Sequence, residues 1–416
     1  MSRPRVAVTG VGVKTPAGTT VEAALATVLA GRPTAATVAE LVGENCPVTF
    51  ACLVPPFDPA PYADRREQQK MDRAALLALA AASDAVADAG LGPAVGAAPE
   101  RVTVAVGTGT AGLRTLVDAA RSLERDGAPL PAFLVPRIMS NAAAARISMR
   151  LGAHGPSLTY STACASGATA IGEAADRIRA GRMDVAVAGG TDAPVTAEIM
   201  TSFHRLRALS GRNEAPEAAS RPFDGDRDGF VMGEGAAFVV LERLERAEAR
   251  GARIYGELAG YASNCDAHHI VAPEPAGTHA AACMSAALAD AGLGPEQIGH
   301  INAHGTGTVL NDRAEAVAVA RCFGPKSPPL TASKGVVGHL IGGAGAFEAV
   351  IALLCARAGV VPPVANFGGG PDADGLDVVA GEPRRLEPAP VLSNSFGFGG
   401  HNACLVLVPG RPGGPR

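Results

Sequence analysis

The sequence predicts an α/β fold built from two related halves, and three observations carry that prediction. The first is an internal repeat: Ala87-Asp88-Ala89-Gly90-Leu91-Gly92-Pro93 recurs as Ala289-Asp290-Ala291-Gly292-Leu293-Gly294-Pro295, each copy closing an alanine-rich helical stretch. Downstream of each copy a strand pattern ends in the same tetrapeptide, Gly107-Thr108-Gly109-Thr110 after residues 102–106 and Gly305-Thr306-Gly307-Thr308 after residues 300–304. Both pairs are offset by about 200 positions, far beyond the period of a solenoid. The second observation is the alternation of apolar strand patterns, such as 185–188 and 405–408, with long helical stretches, which predicts mostly parallel sheets covered by helices. The third is a strand, helix, strand unit over 157–190 with a thiol at its first corner.

Residues 6–10 have a buried-strand pattern ending in a glycine turn, directly after Met1-Ser2-Arg3-Pro4-Arg5, so no signal peptide is expected. Residues 157–160 form a short strand. The helix 165–180 places Ile171, Ala174, Ala175 and Ile178 on one buried stripe, with Glu173, Asp176, Arg177 and Arg179 outside it. Gly181 stops that helix, and Arg177 and Arg179 suit its negative end. Residues 185–188 follow as a fully buried strand. The stretch 212–235 is a glycine- and charge-rich insertion, and a helix over 241–250 bridges into the second half. The resulting division is 1–254 for the first half, 255–408 for the second, and a disordered tail over 409–416.

At 416 residues the chain is long enough for one large core or two fused ones, and its 47% apolar content suits a globular protein. No run of about 18 uncharged apolar residues occurs, so no helical membrane span is expected. The eight cysteines include no C-x-x-C pair, which points away from a zinc site or a secreted disulfide framework and towards a reducing cytoplasm. A net charge of −4 and few aromatic residues argue against nucleic acid as the main partner.

Cys164, in Ser161-Thr162-Ala163-Cys164-Ala165-Ser166-Gly167, stands where strand turns into helix. A thiolate, not a thiol, attacks carbonyl carbon, and the free N–H groups and partial positive charge of a helix start favour the anion. The placement predicts a cysteine activated without a neighbouring base. Taken alone, a cysteine among alanines is more often a small buried hydrophobe.

The remaining motifs divide sharply. Gly107-Thr108-Gly109-Thr110-Ala111-Gly112 satisfies G-x-G-x-x-G and makes a nicotinamide-dependent dehydrogenase the competing reading. It does not close the first strand of the chain, and its repeat at Gly305 lacks the third glycine, so both read as tight turns shaping a pocket. Asp224-Gly225-Asp226-Arg227-Asp228-Gly229 begins like a calcium loop, but its twelfth position is Gly235 and not glutamate. Cys265, His268 and His269 suggest a metal, yet adjacent histidines diverge, and polar lining of a cleft is the simpler reading. By contrast, His304 and His339 each stand beside a glycine at the mouth of an element, where backbone can approach a ligand. With Lys334, Cys164 and Asn394-Ser395-Phe396-Gly397-Phe398-Gly399-Gly400-His401-Asn402 they suit acyl-thioester chemistry: a nucleophile to hold an acyl group and imidazole donors to hold an enolate.

At these residues the sequence resembles the β-ketoacyl-acyl carrier protein synthases of the decarboxylating elongation type, which have the thiolase fold. The matching blocks are 162–167, 302–308, 334–339 and 394–400, within a resemblance that runs from about Arg5 to Val408. It implies a duplicated five-layer α/β/α/β/α architecture and a dimer. It also implies that Cys164 accepts the acyl group and that His304 and His339, neutral with Nε2 protonated, donate to the malonyl thioester carbonyl. Lys334 would pair with Glu315 and orient a histidine. The N–H groups of Cys164 and Phe398 would form the oxyanion hole, with Phe398 also gating acyl entry. Thr306 and Thr308 would bind the phosphopantetheine arm, Thr110, Phe133 and Phe203 the acyl chain, and Gly399 and Gly400 would border the substrate. Thr110 replaces a bulky aliphatic frequent at that position in the family.

Within the family, Cys164 speaks against a catalytically silent chain-length-factor subunit, and the pair His304 and His339 against a priming synthase. Gly189-Gly190-Thr191-Asp192-Ala193-Pro194 and Asn311-Asp312-Arg313 look like type II polyketide ketosynthases, whereas Ala163-Cys164-Ala165-Ser166 and the 395–402 block look like fatty-acid elongation enzymes. The balance favours a type II polyketide ketosynthase. Expected partners are an acyl carrier protein and either a second copy or a chain-length-factor paralogue. No cofactor beyond the substrate's own phosphopantetheine and no metal are expected. Arg65, Arg66, Lys70 and Arg73, with Arg205 and Arg207, form the expected docking face for the acidic carrier.

Overall fold

The computed structural model describes residues 3–92 and 98–410. Ten strands form the main sheet: β1 Val6–Lys14, β2 Val102–Gly107, β3 Ser157–Tyr160, β4 Val185–Asp192, β5 Gly235–Arg243, β6 Gly256–Cys265, β7 His300–Asn302, β8 Leu330–Thr331, β9 Val391–Gly397 and β10 His401–Pro409. The helices that cover them are α1 Arg73–Asp88, α2 Ala142–Leu151, α3 Ser166–Arg179, α4 Thr278–Ala291, α5 Val309–Phe323 and α6 Ala344–Ala358. The strand order is β8-β7-β9-β10-β6-β1-β5-β4-β2-β3. The first half contributes 3-2-4-5-1 and the second 8-7-9-10-6, so each strand of one half has its counterpart five strands on in the other.

Each half mixes directions. β1 with β5 and β5 with β4 are antiparallel, as are β6 with β10 and β10 with β9. β4 with β2, β2 with β3, β9 with β7 and β7 with β8 are parallel. The expectation of mostly parallel sheets is therefore corrected to half of each sheet. The tight turn from β9 to β10 permits an antiparallel pair, whereas parallel neighbours need a crossover. Within the main sheet the halves join where Ala7 and Val8 pair with Glu257 and Gly256.

Packing gives five layers. α1 and α2 lie against the first half of the sheet, α4 lies against the second half with α5 packed on it, and α3 and α6 lie against each other between strands of both halves. α3 and α6 are accordingly buried nearly all round. The stretch Ile341–Ala358 is long and apolar enough to cross a membrane, but 83% of it is buried here as a core element.

The repeated Ala-Asp-Ala-Gly has a physical cause. Each sheet's first strand carries a bulge, after which Gly10 or Gly260 meets the covering helix. A Cβ at Gly10 would lie 2.1 Å from the Ala85 carbonyl oxygen, and one at Gly260 would lie 2.2 Å from that of Ala287. The repeat aspartates accept the next strand N–H: Val11 to Asp88 and Tyr261 to Asp290, each at 3.0 Å. Small residues permit the contact and the carboxylate satisfies the amide that the bulge frees. Pro93, which ends the first copy, lies outside the described residues.

Two expected boundaries change. The helix expected over 241–250 begins only at Leu244, because 241–243 complete β5. Glu242 and Arg246 mimic a helical i, i+4 pair. Instead Glu242 is buried in the strand, where Arg246, Arg250 and the Thr9 hydroxyl reach it. At the chain end, Pro409 pairs with Gly256 as the last residue of β10 and is not part of the expected tail. The rest of that expectation, from residue 411, lies outside the described residues.

Candidate active site

Cys164 lies in a three-residue 3₁₀ turn, Ala163–Ala165, between β3 and α3, and is buried. Ala163 has φ 49°, a conformation costly for a residue with a Cβ, and it aims the next side chain off the end of the strand. The second half repeats the device: Ile341, at φ 50°, opens the 3₁₀ turn Ile341–Gly343 that leads into α6. Gly342 thus holds the position that Cys164 holds in the first half.

His304 lies two residues past the end of β7. Its N–H and that of Gly305 each donate to Glu315 on α5 at 2.8 Å, and Glu315 also accepts from the Asn394 amide. Lys334 reaches the same histidine from the other side, with Nζ 2.5 Å from the His304 carbonyl oxygen and 3.2 Å from Nδ1. An ammonium can only donate, so Nδ1 is the acceptor and Nε2 carries the proton.

Lys334 forms its ion pair with Glu348 of α6, at 2.5 Å, and not with Glu315. That corrects the expected partner. Glu315 already spends its oxygens on three N–H donors, whereas Glu348 is an isolated carboxylate in the apolar stretch 344–356 of α6 and needs a counter-charge. Burial pushes Glu348 up to about 7, against the pull of Lys334.

His339 is held in the same way by different groups. The backbone N–H of Ile341 donates to its Nδ1 at 3.3 Å, which again leaves the proton on Nε2. Its own N–H donates to the Val231 carbonyl, and the Phe230 ring packs edge-on with centroids 5.3 Å apart. The 212–235 insertion therefore serves to seat this histidine. Burial and the Lys334 charge hold both imidazoles well below their usual pKa, so both are neutral. Their ring centroids are 5.5 Å apart.

Cys164, His304 and His339 line one cavity of about 350 Å³. Phe398 lines it as well, and its backbone N–H favours the Cys164 thiolate. Gly397 admits that peptide, since a Cβ there would lie 2.6 Å from the Thr162 carbonyl oxygen and 3.1 Å from the Cys164 nitrogen. The expected activation of the thiol by the helix start is opposed by burial. Burial pushes Cys164 up to about 12, with Lys334 and the Phe398 N–H pulling the other way.

The other expected site residues fall in three places. Thr110, Phe203, Thr306 and Thr308 line the cavity, and Phe203 stands 6.2 Å from the Phe398 ring. Gly399 and Gly400 shape the turn behind Phe398, where the Gly399 N–H donates to the Ile270 carbonyl. Phe133 lies outside the cavity of its own chain, 45% exposed, with the Lys70 ammonium 4.8 Å from its ring. Arg65 and Arg66 are exposed on the short helix Arg65–Gln68, and Arg205 is exposed as well. Arg207 is exposed at the cavity. Arg73 leaves the expected docking set, because its guanidinium is bound to the buried Glu234.

The loop after β6 completes the mouth through Asp266, Val271 and Pro273. His269 accepts the Val271 and Ala272 N–H groups at Nδ1 there, and His268 is exposed. Asp224 is taken up by Arg221 and by the N–H groups of Asp226 and Gly368. Sequence reasoning missed Glu348 and Phe230. The one available signal was a lone glutamate inside the apolar run 344–356.

The N-terminal domain family of the β-ketoacyl synthases matches residues 3–247, and the C-terminal domain family matches residues 255–368. The 3-oxoacyl-[acyl-carrier-protein] synthase 2 of Synechocystis is 41% identical over 98% of this chain and 98% of its own. That of Rhizobium meliloti is 42% identical over 97% and 98%. Among solved structures, the ishigamide ketosynthase/chain length factor superposes with a TM-score of 0.92 at 36% identity, covering 98% of this chain and all of the other. A type II polyketide acyl carrier protein complex with its hexaketide-bound ketosynthase gives a TM-score of 0.90 at 30% identity, with the same coverage.

Proposed function

The chain belongs to the β-ketoacyl synthase family, and from that premise we propose that it elongates a polyketide chain in a type II system. It is an acyltransferase of the 3-oxoacyl-carrier protein synthase type with the thiolase fold. The observation that carries the mechanism is the sharing of one cavity by Cys164 and two neutral imidazoles, each with Nε2–H free to donate.

In the first half-reaction the Cys164 sulfur attacks the carrier-bound thioester. The new carbon–sulfur bond forms as the carrier's bond breaks, and the cysteine proton ends on the departing phosphopantetheine thiol. The exchange is proton-neutral, which suits a thiol that burial keeps protonated. In the second, His304 and His339 donate to the malonyl thioester oxygen, so that loss of carbon dioxide leaves a held enolate. Its carbon attacks the Cys164 acyl carbonyl, whose oxygen is met by the N–H groups of Cys164 and Phe398. Collapse expels the cysteine sulfur as a thiolate, which takes up a proton from water to restore the thiol, and releases a 3-oxoacyl carrier protein. Thr306 and Thr308 would guide the pantetheine arm, with Thr110 and Phe203 along the acyl chain. No resident cofactor or metal enters these steps, and the cytoplasm is the compartment this reading implies.

The acidic acyl carrier protein would dock on Arg65, Arg66 and Lys70, with Arg205 and Arg207 beside the cavity mouth. The second subunit would be a chain-length-factor paralogue or another copy of this chain. The higher identity of the synthase 2 relatives favours fatty-acid elongation as the second reading. Co-purification with candidate partners, followed by mass spectrometry of the chain trapped on Cys164, separates the two. A silent paralogue and a partly reduced or polyene chain support the polyketide reading, whereas a homodimer carrying a fully saturated chain overturns it.

A further inference from the structure

Asp192, the last residue of β4, is fully buried, and both of its oxygens are occupied by donors from the two halves of the molecule. Oδ1 accepts from the Thr108 hydroxyl at 2.8 Å, the Thr110 N–H at 2.9 Å and the Thr110 hydroxyl at 2.6 Å. Oδ2 accepts from the Gly109 N–H at 2.8 Å and the Gly342 N–H at 2.7 Å. No basic side chain pairs with it among the described residues, so these donors alone oppose the burial that pushes its carboxyl up. The fit leaves no slack: a Cβ at Gly342 would lie 2.6 Å from Oδ2 and 2.7 Å from the Gly109 nitrogen.

The two clamped turns do different jobs. The turn at 107–110 presents Thr110 to the cavity. The turn Ile341–Gly343 presents the Ile341 N–H to His339 Nδ1, and the peptide that follows it carries the Gly342 N–H held by Asp192.

We propose that Asp192 is a positioning residue that fixes the His339 tautomer through the 341–342 backbone while it ties that backbone to the acyl-pocket turn. The inference rests on the proposed role of His339 as an enolate donor. Without the Asp192 clamp the Ile341 amide is no longer pinned against Nδ1, and the Nε2 proton loses its fixed direction.

A double-mutant cycle on carbon dioxide release from malonyl carrier protein tests this, using Asp192→Asn in the His339→Ala and His304→Ala backgrounds, with thermal denaturation to confirm folding. Asparagine can keep only part of the donor set, so Asp192→Asn alone should slow release about tenfold. The same change should cost less than about twofold once His339 is alanine, and its full factor when His304 is alanine. An equal loss in both backgrounds overturns the coupling while leaving the enolate role of His339 intact. A His339→Ala protein with undiminished release overturns that role itself, and the coupling with it. Should Asp192→Asn not fold, Thr110→Val removes one donor from the same carboxylate, and the same pattern across the two backgrounds decides.

Discussion

Lys334 Nζ stands 2.5 Å from Glu348 Oε1 and 3.2 Å from His304 Nδ1, so a single buried ammonium both completes an ion pair and sets the tautomer of an imidazole. Lys334→Met separates those duties. Losing the Nδ1 donor should slow malonyl decarboxylation at least tenfold while Cys164 acylation by an acyl donor falls much less. It also strands Glu348, at a cost of about 3–5 kcal/mol when the carboxylate is charged. Glu348 already sits near 7, so the stranded group protonates as pH falls. The stability gap to wild type should therefore be smaller at pH 6 than at pH 8. A gap independent of pH, by chemical denaturation, would contradict the pairing.

Cys164 tests which influence on the thiol prevails. If burial wins, alkylation by iodoacetamide rises about tenfold per pH unit through pH 9 without a plateau. A plateau below pH 7 would show that the helix start and the Phe398 N–H outweigh burial.

His300 provides a stability prediction away from the cavity. Burial lowers its pKa from the usual 6.5 to about 4. Between those values the unfolded chain binds a proton that the folded one does not, so stability falls as pH falls, by up to about 1.4 kcal/mol per unit. His300→Gln removes that contribution. Its stability relative to wild type should improve by about 3 kcal/mol from pH 7 to pH 4, and parallel curves would refute the assignment.

The basic residues divide into surface and structural. Reversing Arg65, Arg66 and Lys70 to glutamate should raise the KM for carrier protein and flatten its salt dependence, with folding unchanged. Arg73→Glu should instead destabilise the protein, because it sets a second carboxylate against the buried Glu234. An Arg73 variant with normal stability and impaired docking would reverse that division.

What the sequence revealed depended on distance along the chain. The duplication was legible because the bulge contact at Gly10 and Gly260 demands the same small residues and the same aspartate in both halves. The strand-to-helix corner at Cys164 was legible because its periodicity is local. The Lys334 partner was not, since Glu315 and Glu348 are both buried carboxylates, and only packing of α6 decides between them. Strand direction within the sheets also escaped, because buried parallel and antiparallel strands share one apolar pattern. Phe133 shows the limit of carrying a role over by position: its ring stands outside the cavity of the single chain.

The central claim is that two Nε2–H donors, separate from the nucleophile, drive decarboxylation. Carbon dioxide release from malonyl carrier protein by Cys164→Gln, alone and combined with His304→Ala or His339→Ala, tests it most directly. The arrangement predicts release that persists without the sulfur and drops about a hundredfold when either imidazole is removed. Release that stops with the cysteine, or that is indifferent to both histidines, would contradict it.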